Sequence, residues 1–234
     1  MTNSGATQRK SVFCLVSAML VIVALTLVLV SPSRAELFKL DTVLQACQAR
    51  YGPPSGPVVR DWHNVLTVFQ DETEQGKLKE VNEYFNRKIR FEDDQKIWGQ
   101  VDYWATPVEA LMKGMADCED FAIAKYFSLK QLGVLATKMR ITYVKAKIGG
   151  PSSSLTQAHM VLTYYTTPDA EPLILDNLIG EIRPAARRPD LIPVFSFNTD
   201  GVWAAGTTEP QPGGSRLSRW NDLLEKIKAE GLDQ

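Results

Sequence analysis

Residues 114–133 read GMADCEDFAIAKYFSLKQLG and predict one long helix near the centre of the protein. Asp117 suits the N-terminal cap of this helix, and Gly133 suits the left-handed position that follows a helix C-terminus. The apolar side chains lie around much of the circumference, which is typical of a helix buried on several sides. They are Phe121, Ile123, Ala124, Phe127, Leu129 and Leu132. We therefore expect the rest of the domain to pack around this helix.

The chain before the central helix is predicted to be helical. Apolar residues recur at helical spacing over residues 37–51, about 61–75 and about 77–89, and Gly76 separates the second segment from the third. The sequence TPVE at residues 106–109 predicts another helix start, with proline in the first turn. The remainder of residues 91–110 is polar and rich in aromatic side chains, and it predicts irregular structure.

After the central helix the hydrophobic period changes to two. Alternation over residues 139–143, and strand-like composition over residues 159–165 and 173–176, predict consecutive β-strands. Helices followed by an antiparallel sheet are typical of the α+β class. We predict an α+β fold in which the helix that carries Cys118 packs on the sheet.

The N-terminus has the order of a secretory signal. Arg9 and Lys10 precede an uncharged apolar run over residues 12–30, and small residues at cleavage-type spacing follow in Ser33-Arg34-Ala35. We assign residues 1–35 to a signal peptide, with an uncleaved anchor as the alternative because the apolar run is long. In either case the remaining chain is expected to lie outside the cytoplasm.

The exported part is predicted to form one domain over residues 36–203, followed by a linker and a C-terminal helix over residues 204–234. That helix either packs back on the domain or serves a partner. Removing residues 1–35 from a chain of 26 basic and 27 acidic side chains leaves 23 basic and 27 acidic, a net charge of −4. No basic block stands out, so nucleic acid is not an expected partner.

Two cysteines remain after the signal, and they have different surroundings. Cys47 lies on the apolar face of a predicted helix, as a small core side chain would. Cys118 lies in the first turn of the central helix, where free backbone N–H groups and the helix dipole favour a thiolate. Cys118 is therefore the candidate nucleophile. A Cys47–Cys118 disulfide without catalysis is the alternative that an oxidising compartment leaves open.

A cysteine nucleophile needs a base, and the chain has two histidines. His63 lies near the start of an early predicted helix, where a surface or capping role is expected. His159 begins a predicted strand, which could hold its imidazole against the helix that carries the thiol. If the following turn centres on Pro168-Asp169, Asp176 lies diagonally from His159, within side-chain reach. Asp176 would then orient the imidazole, and the alternative is a cap at the start of a loop.

Three carboxylates surround the thiol in sequence. Asp117, Glu119 and Asp120 suit a helix N-terminus as caps, yet each would raise the pKa of a neighbouring thiolate. A bound cation would offset this effect, and hard oxygen ligands in an irregular loop favour Ca²⁺. From the residues alone, capping and metal binding both remain open.

Four separated motifs resemble the bacterial transglutaminase-like cysteine proteinases, and among them the periplasmic members that cut large surface adhesins. The motifs are DYWATP at residues 102–107, DCEDFAIAKY at 117–126, AHMVL at 158–162 and LDNL at 175–178. The resemblance covers residues 37–203. It implies a papain-like, transglutaminase-like core with a catalytic triad of Cys118, His159 and Asp176.

The resemblance also implies a cofactor and two partners. Ca²⁺ would be bound by acidic residues that flank the cysteine, with Asp117 and Glu119 as first choices and Asp120 as a third. The substrate would be the N-terminal region of a large, repeat-containing adhesin, so that cleavage would control biofilm attachment. An inner-membrane receptor for cyclic di-GMP would sequester the protease in the periplasm.

Other reactions stay open at this stage. The same triad serves amide transfer and the cleavage of peptidoglycan peptides, and a non-catalytic calcium-binding module would need only the acidic residues. For the oxyanion, the backbone N–H of Cys118 is the expected donor, and the segment Trp98-Gly99-Gln100 is a candidate for the second donor.

Overall fold

The computed structural model describes residues 36–211 and 217–233. The predicted signal peptide at residues 1–35 lies outside the described residues. No helix within the described ranges is long and apolar enough to cross a membrane. The described helices, in chain order, are α1 (Leu40–Tyr51), α2 (Ser55–Phe69), α3 (Glu74–Lys88), α4 (Asp94–Ile97), α5 (Pro107–Lys113), α6 (Cys118–Gln131) and α7 (Ser218–Ala229).

The strands form one large antiparallel sheet and one small parallel pair. The pair consists of β1 (Arg90–Phe91) and β2 (Met115–Ala116). The large sheet has the order β6-β5-β4-β3-β7-β8, and every neighbouring pair is antiparallel. Its strands are β3 (Met139–Lys147), β4 (Thr156–Tyr164), β5 (Leu173–Leu175), β6 (Arg183–Pro184), β7 (Leu191–Phe197) and β8 (Val202–Ala204). The predicted α+β class is confirmed.

Helix α6 is the centre of the core, as its composition predicts. Ile123, Ala124 and Leu129 are completely buried, and neighbouring elements α3, α5, β3 and β4 pack against the helix. The carboxylate of Asp117 accepts a hydrogen bond from the backbone N–H of Asp120, which caps the first turn. Gly133 has φ of 83°, the left-handed conformation that suits glycine. The position of Cys118 therefore follows from local sequence signals.

Helix α5 begins as the TPVE sequence predicts. The Thr106 hydroxyl accepts from the backbone N–H of Glu109, and the Glu109 carboxylate accepts from the backbone N–H of Thr106. This reciprocal pair is a capping box, with Pro107 at the first helical position.

Three boundaries differ from the sequence prediction. Gly76 does not separate two helices but lies in the first turn of α3, whose cap is Thr73, so the break falls at residues 70–73. His63 lies in the middle of α2 rather than near its start, half-buried with its ring 5.1 Å from that of Phe38. The stretch predicted as irregular contains β1 and α4. Period alone missed them because β1 has only two residues and a partner distant in sequence, and α4 is a single helical turn.

The last helix packs on the domain. Trp220 is buried between the core rings of Phe127 and Phe197, at centroid distances of 5.8 and 5.2 Å. Lys226 donates to the backbone oxygen of Trp104 at 2.5 Å and to Glu109 at 3.0 Å. Helix α7 is thus held both by aromatic packing and by buried polar contacts.

Candidate active site

A cleft of about 500 Å³ opens where the N-terminus of α6 meets β4. Cys118 and His159, which are 41 positions apart in sequence, both line this cleft. Trp104, Glu119 and Arg219 contribute further walls. The structure therefore brings the two residues predicted as nucleophile and base to one solvent-accessible space.

The thiol of Cys118 is half-buried and in contact with acid. Its Sγ donates a hydrogen bond to Glu119 Oε2 at 3.0 Å. Burial raises the pKa of this thiol well above its ordinary value, and the charges of Glu119 and Asp117 raise it further, against the backbone N–H of Met160. Nearby positive charge would have to offset these effects before a thiolate could form at neutral pH.

His159 is held by a buried chain of charged side chains. Its Nε2 lies 2.9 Å from Asp176 Oδ1, and Asp176 Oδ2 accepts from Arg188 Nη2 at 2.8 Å. Arg188 is anchored in turn by Asp190, at 2.8 Å between Nη2 and Oδ2. Because Leu175 pairs with Leu162, Asp176 lies opposite Val161, the register that the turn prediction requires. The antiparallel register thus explains why residues 159 and 176 meet.

Asp176 is ionised in this arrangement. Burial pushes its pKa upward, but the hydrogen bond and charge of His159, the backbone N–H of Leu178 and the guanidinium of Arg188 outweigh burial and lower the pKa to about 2. A carboxylate in this state fixes the imidazole with Nε2 as the hydrogen-bond donor, which leaves Nδ1 for a second partner.

A second cluster, of carboxylates, lies beside the thiol. One oxygen from each of Asp94, Asp117 and Glu119 lies within 4.8 Å of the others, a spacing suited to shared metal coordination. Burial raises the pKa of Asp94 to about 6, and burial together with Glu119 and Asp120 raises that of Asp117. In the absence of a cation, the ionised forms of Asp94 and Asp117 are therefore disfavoured.

This cluster differs from the ligand set predicted from the sequence. Asp117 and Glu119 belong to it, but Asp120 lies outside it and Asp94 completes it. Asp120 is completely buried, and its Oδ1 accepts from the backbone N–H of Ala105 at 2.7 Å. One oxygen of Asp120 is therefore committed to holding the segment before α5 against α6.

The acidic cluster fits a calcium ion. Asp94 Oδ1 is buried and has no hydrogen-bond partner among the described residues, and the same holds for Asp120 Oδ2. Buried carboxylates without compensation are costly, and a divalent cation supplies both charge and coordination. Carboxylate oxygens in irregular geometry are the donors that Ca²⁺ accepts.

Asp94 and Arg188 are the site residues that sequence reasoning missed. Asp94 reaches the cluster because β1 pairs in parallel with β2, so the chain leaving β1 runs beside Asp117. Arg188 follows a short 3-10 turn over Ala185–Arg187. No sequence spacing or period links either residue to Cys118. Asp94 meets Asp117, and Arg188 meets Asp176, only through pairing between backbone segments that are separated in sequence.

Two other predictions bear on the site. Cys47 is completely buried in α1 and both cysteines are free, so the structure has no Cys47–Cys118 disulfide. Burial raises the pKa of Cys47 to about 12, which makes it unreactive. The segment Trp98-Gly99-Gln100, a candidate source of the second oxyanion donor, does not contribute to the described cleft lining.

Family and structure comparisons both match this chain to cysteine proteinases of one family. Residues 59–203 match the family described as bacterial transglutaminase-like cysteine proteinase. Among solved structures, LapG of Legionella pneumophila is 37% identical with a TM-score of 0.68, and the match covers 82% of this chain and 99% of that one. The EGTA-treated form of that protein is also 37% identical, with a TM-score of 0.69, and the match covers 82% of this chain and 100% of that one. The calcium-bound form is 37% identical with a TM-score of 0.68, and the match covers 81% of this chain and 99% of that one. No curated protein sequence gives a significant match.

Proposed function

Because the chain belongs to the bacterial transglutaminase-like cysteine proteinases, we propose that it is a calcium-dependent cysteine endopeptidase of the periplasm. Its substrate is the N-terminal region of a large surface adhesin, and its cleavage controls biofilm attachment. The observation that carries the proposal is the cleft that contains Cys118 together with a His159 bonded to Asp176 at 2.9 Å. The calcium-bound and EGTA-treated structures of the Legionella relative support the metal requirement.

In the proposed reaction His159 is the base and Asp176 orients it. Nδ1 takes the thiol proton, Sγ attacks the scissile carbonyl carbon, and the imidazolium returns the proton to the leaving nitrogen as the C–N bond breaks. Water then gives a proton to Nδ1 and attacks the thioester. The C–S bond breaks, the imidazolium returns its proton to Sγ, and the carboxyl product leaves the restored thiol.

The N-terminus of α6 assists the same steps. The backbone N–H of Cys118 belongs to the first turn, where a helix offers it no carbonyl partner, so it is the expected oxyanion donor. Glu119 holds the thiol hydrogen in the resting geometry. Cys118 must exchange this acceptor for Nδ1 of His159 before it reacts.

Asp94, Asp117 and Glu119 are the residues that would hold calcium. When bound, the cation would supply positive charge beside a thiol whose pKa is raised by burial and by the carboxylates of Glu119 and Asp117. Asp117 in addition caps α6, so the same side chain joins the helix terminus to the cluster.

The partners in this proposal rest on the family resemblance. They are the adhesin as substrate and an inner-membrane receptor that binds cyclic di-GMP and sequesters the protease. The predicted signal peptide at residues 1–35 supports export to the compartment where both would be met.

The proposal is tested by incubating the purified 36–234 chain with the N-terminal fragment of the adhesin encoded by the same organism. We expect cleavage at one position, visible by electrophoresis and located by mass spectrometry of the products. Peptidoglycan peptides and a mixture of casein with an amine donor are tested in parallel. Turnover of either of these, with an intact adhesin, would favour the amidase or transferase alternative instead.

Arg188 is expected to act as a positioning residue for His159 through Asp176. Replacing it with methionine should lower kcat by about 10–100-fold with little change in KM, the scale expected for a misaligned catalytic group. Loss of the guanidinium also raises the pKa of Asp176. Because the reaction needs the ionised carboxylate, the acidic limb of the kcat/KM profile should move to higher pH.

Two variants distinguish a positioning role of Arg188 from a contribution to the stability of the fold alone. Arg188→Lys keeps a positive charge and should restore part of the pH profile, and Arg183→Met removes a half-buried arginine that is paired with Glu181 instead of Asp176. An Arg188→Met profile with an unmoved acidic limb would show that Asp176 does not depend on Arg188.

A further inference from the structure

A second cavity, of about 350 Å³, lies on the face of the sheet turned away from α6. Val144, Val161 and Ile174 form a small apolar cluster there, separate from the main core. The hydroxyl groups of Thr142 and Thr163 bond to each other at 2.8 Å across the strands. The cavity floor is therefore largely apolar, and its volume is at the lower end of the range for small-molecule sites.

One wall of this cavity contains an uncompensated cation. Arg140 is only 5% exposed, and its Cζ lies 4.6 Å from the ring centroid of Tyr165 and 4.3 Å from that of Trp203. Its Nε has no hydrogen-bond partner, and no carboxylate among the described residues forms a salt bridge with it. Aromatic faces attract the charge but do not accept the directional hydrogen bond of the buried Nε–H.

The other charged residues of the cavity lining, Arg188 and Asp169, do not neutralise the charge of Arg140. Arg188 also lines the cavity, but Asp176 and Asp190 already neutralise it. Asp169 lies in the exposed turn between β4 and β5, where solvent screens its charge. Arg140 is thus a buried guanidinium at the edge of an apolar cavity, an arrangement that is costly unless an anion joins it.

We propose that this cavity binds a small amphipathic carboxylate. The carboxylate is held by Arg140, and the aliphatic chain lies over the apolar floor formed by Val161 and Ile174. Charge complementarity selects an anion, and the apolar lining selects a hydrocarbon chain over a polar metabolite. The proposal rests on Arg140 and the apolar floor and needs no residue of the cleft, although Arg188, which positions Asp176, also lines this cavity.

The test uses sodium octanoate as the probe, with octanol and octylammonium as neutral and cationic probes of equal chain length. Calorimetric titration of the 36–234 chain should give one octanoate per chain, binding at least about tenfold weaker for octanol, and none for octylammonium. Arg140→Met should weaken octanoate binding by about tenfold or more and leave octanol unchanged. Arg140→Lys should retain part of the affinity, and Arg183→Met, which changes an arginine outside the cavity lining, should bind as the wild type does.

Indole N–H resonances locate the bound probe without reference to activity or to any variant. Trp203 donates to the backbone oxygen of Thr208, which lines the cavity, whereas Trp104 lines the cleft. Octanoate should move the Trp203 resonance and leave that of Trp104 in place. Equal binding of octanoate and octanol, a response at Trp104 instead of Trp203, or no octanoate binding would each overturn the proposal, even if Arg140→Met failed to fold.

Discussion

Replacing Cys118 with alanine is expected to abolish adhesin cleavage, with kcat/KM falling on the order of 10⁶-fold, the scale seen when a catalytic nucleophile is removed. The reason is that the proposed reaction has no other atom to form the acyl-enzyme. The fold should survive, because Cys118 is only half-buried at the end of α6 and its thiol contacts an acidic group. Initial rates of adhesin cleavage and thermal unfolding of the same samples measure both effects.

Cys47→Ala is the matched control for this change. Cys47 is completely buried in the core, so its loss should cost about 1–2 kcal/mol of stability while the rate stays near that of the wild type. A thiol titration of the unfolded 36–234 chain should find both cysteines free, as in the structure. If Cys47→Ala lost turnover as completely as Cys118→Ala, the disulfide alternative would gain and the nucleophile assignment would fail.

The base is tested with the same assay. His159→Ala should lose about as much activity as Cys118→Ala, and the double variant should lose little more, because the two residues act as one unit. His63→Ala is the matched histidine control. His63 lies in α2 against Phe38 and does not line the cleft. Its removal should therefore leave the rate nearly unchanged.

Chelation of calcium is expected to stop cleavage reversibly. Without a cation, burial and the charges of Glu119 and Asp117 raise the pKa of the Cys118 thiol and so oppose thiolate formation. Added Ca²⁺ should restore the rate better than Mg²⁺, because Mg²⁺ demands a tighter octahedral shell and loses water reluctantly. Rates measured in EGTA, and after each metal is added back in excess, give this comparison.

Asp94 provides the sharpest test of the metal site, since its membership follows from the fold and not from the motif around Cys118. Calorimetric titration of the calcium-stripped protein should show Asp94→Asn weakening calcium binding by at least about tenfold, the lower limit for losing even an outer-shell partner. Asp120→Asn should have a smaller effect, because an amide oxygen still accepts from Ala105. Glu83→Gln removes a half-buried carboxylate that is paired with Lys79 and Arg87 and lies outside the cluster, and this variant should bind calcium normally.

If the carboxylates are only helix caps, chelation should have no effect on activity. If the carboxylates served only the N-terminus of α6, full activity would persist in excess EGTA, and Asp117→Ala would cost roughly 0.5–2 kcal/mol of stability through the lost cap. That result would remove calcium from the proposal and leave the catalytic residues to be judged by the Cys118 and His159 variants.

Local signals in the sequence were sufficient for the central helix and for one long-range contact. The cap at Asp117, the turn at Gly133 and the capping box of α5 each involve residues within four positions of each other, so side-chain chemistry alone specifies them. The meeting of His159 and Asp176 was also predictable, because the connection between these antiparallel strands is centred on Pro168-Asp169, which sets the register.

Tertiary structure decided the parts of the site that come from distant segments. Asp94 joins Asp117 only because β1 and β2 pair in parallel, and the 24 residues between Arg90 and its partner Met115 give no periodic signal of that pairing. Arg188 meets Asp176 through the 3-10 turn that follows β6. Arg140 of β3 packs against Trp203 of β8 and against Tyr165, which directly follows β4. The sequence shows which side chains can interact within one turn or strand. Whether a buried charge finds an opposite charge depends on which distant segment packs beside it.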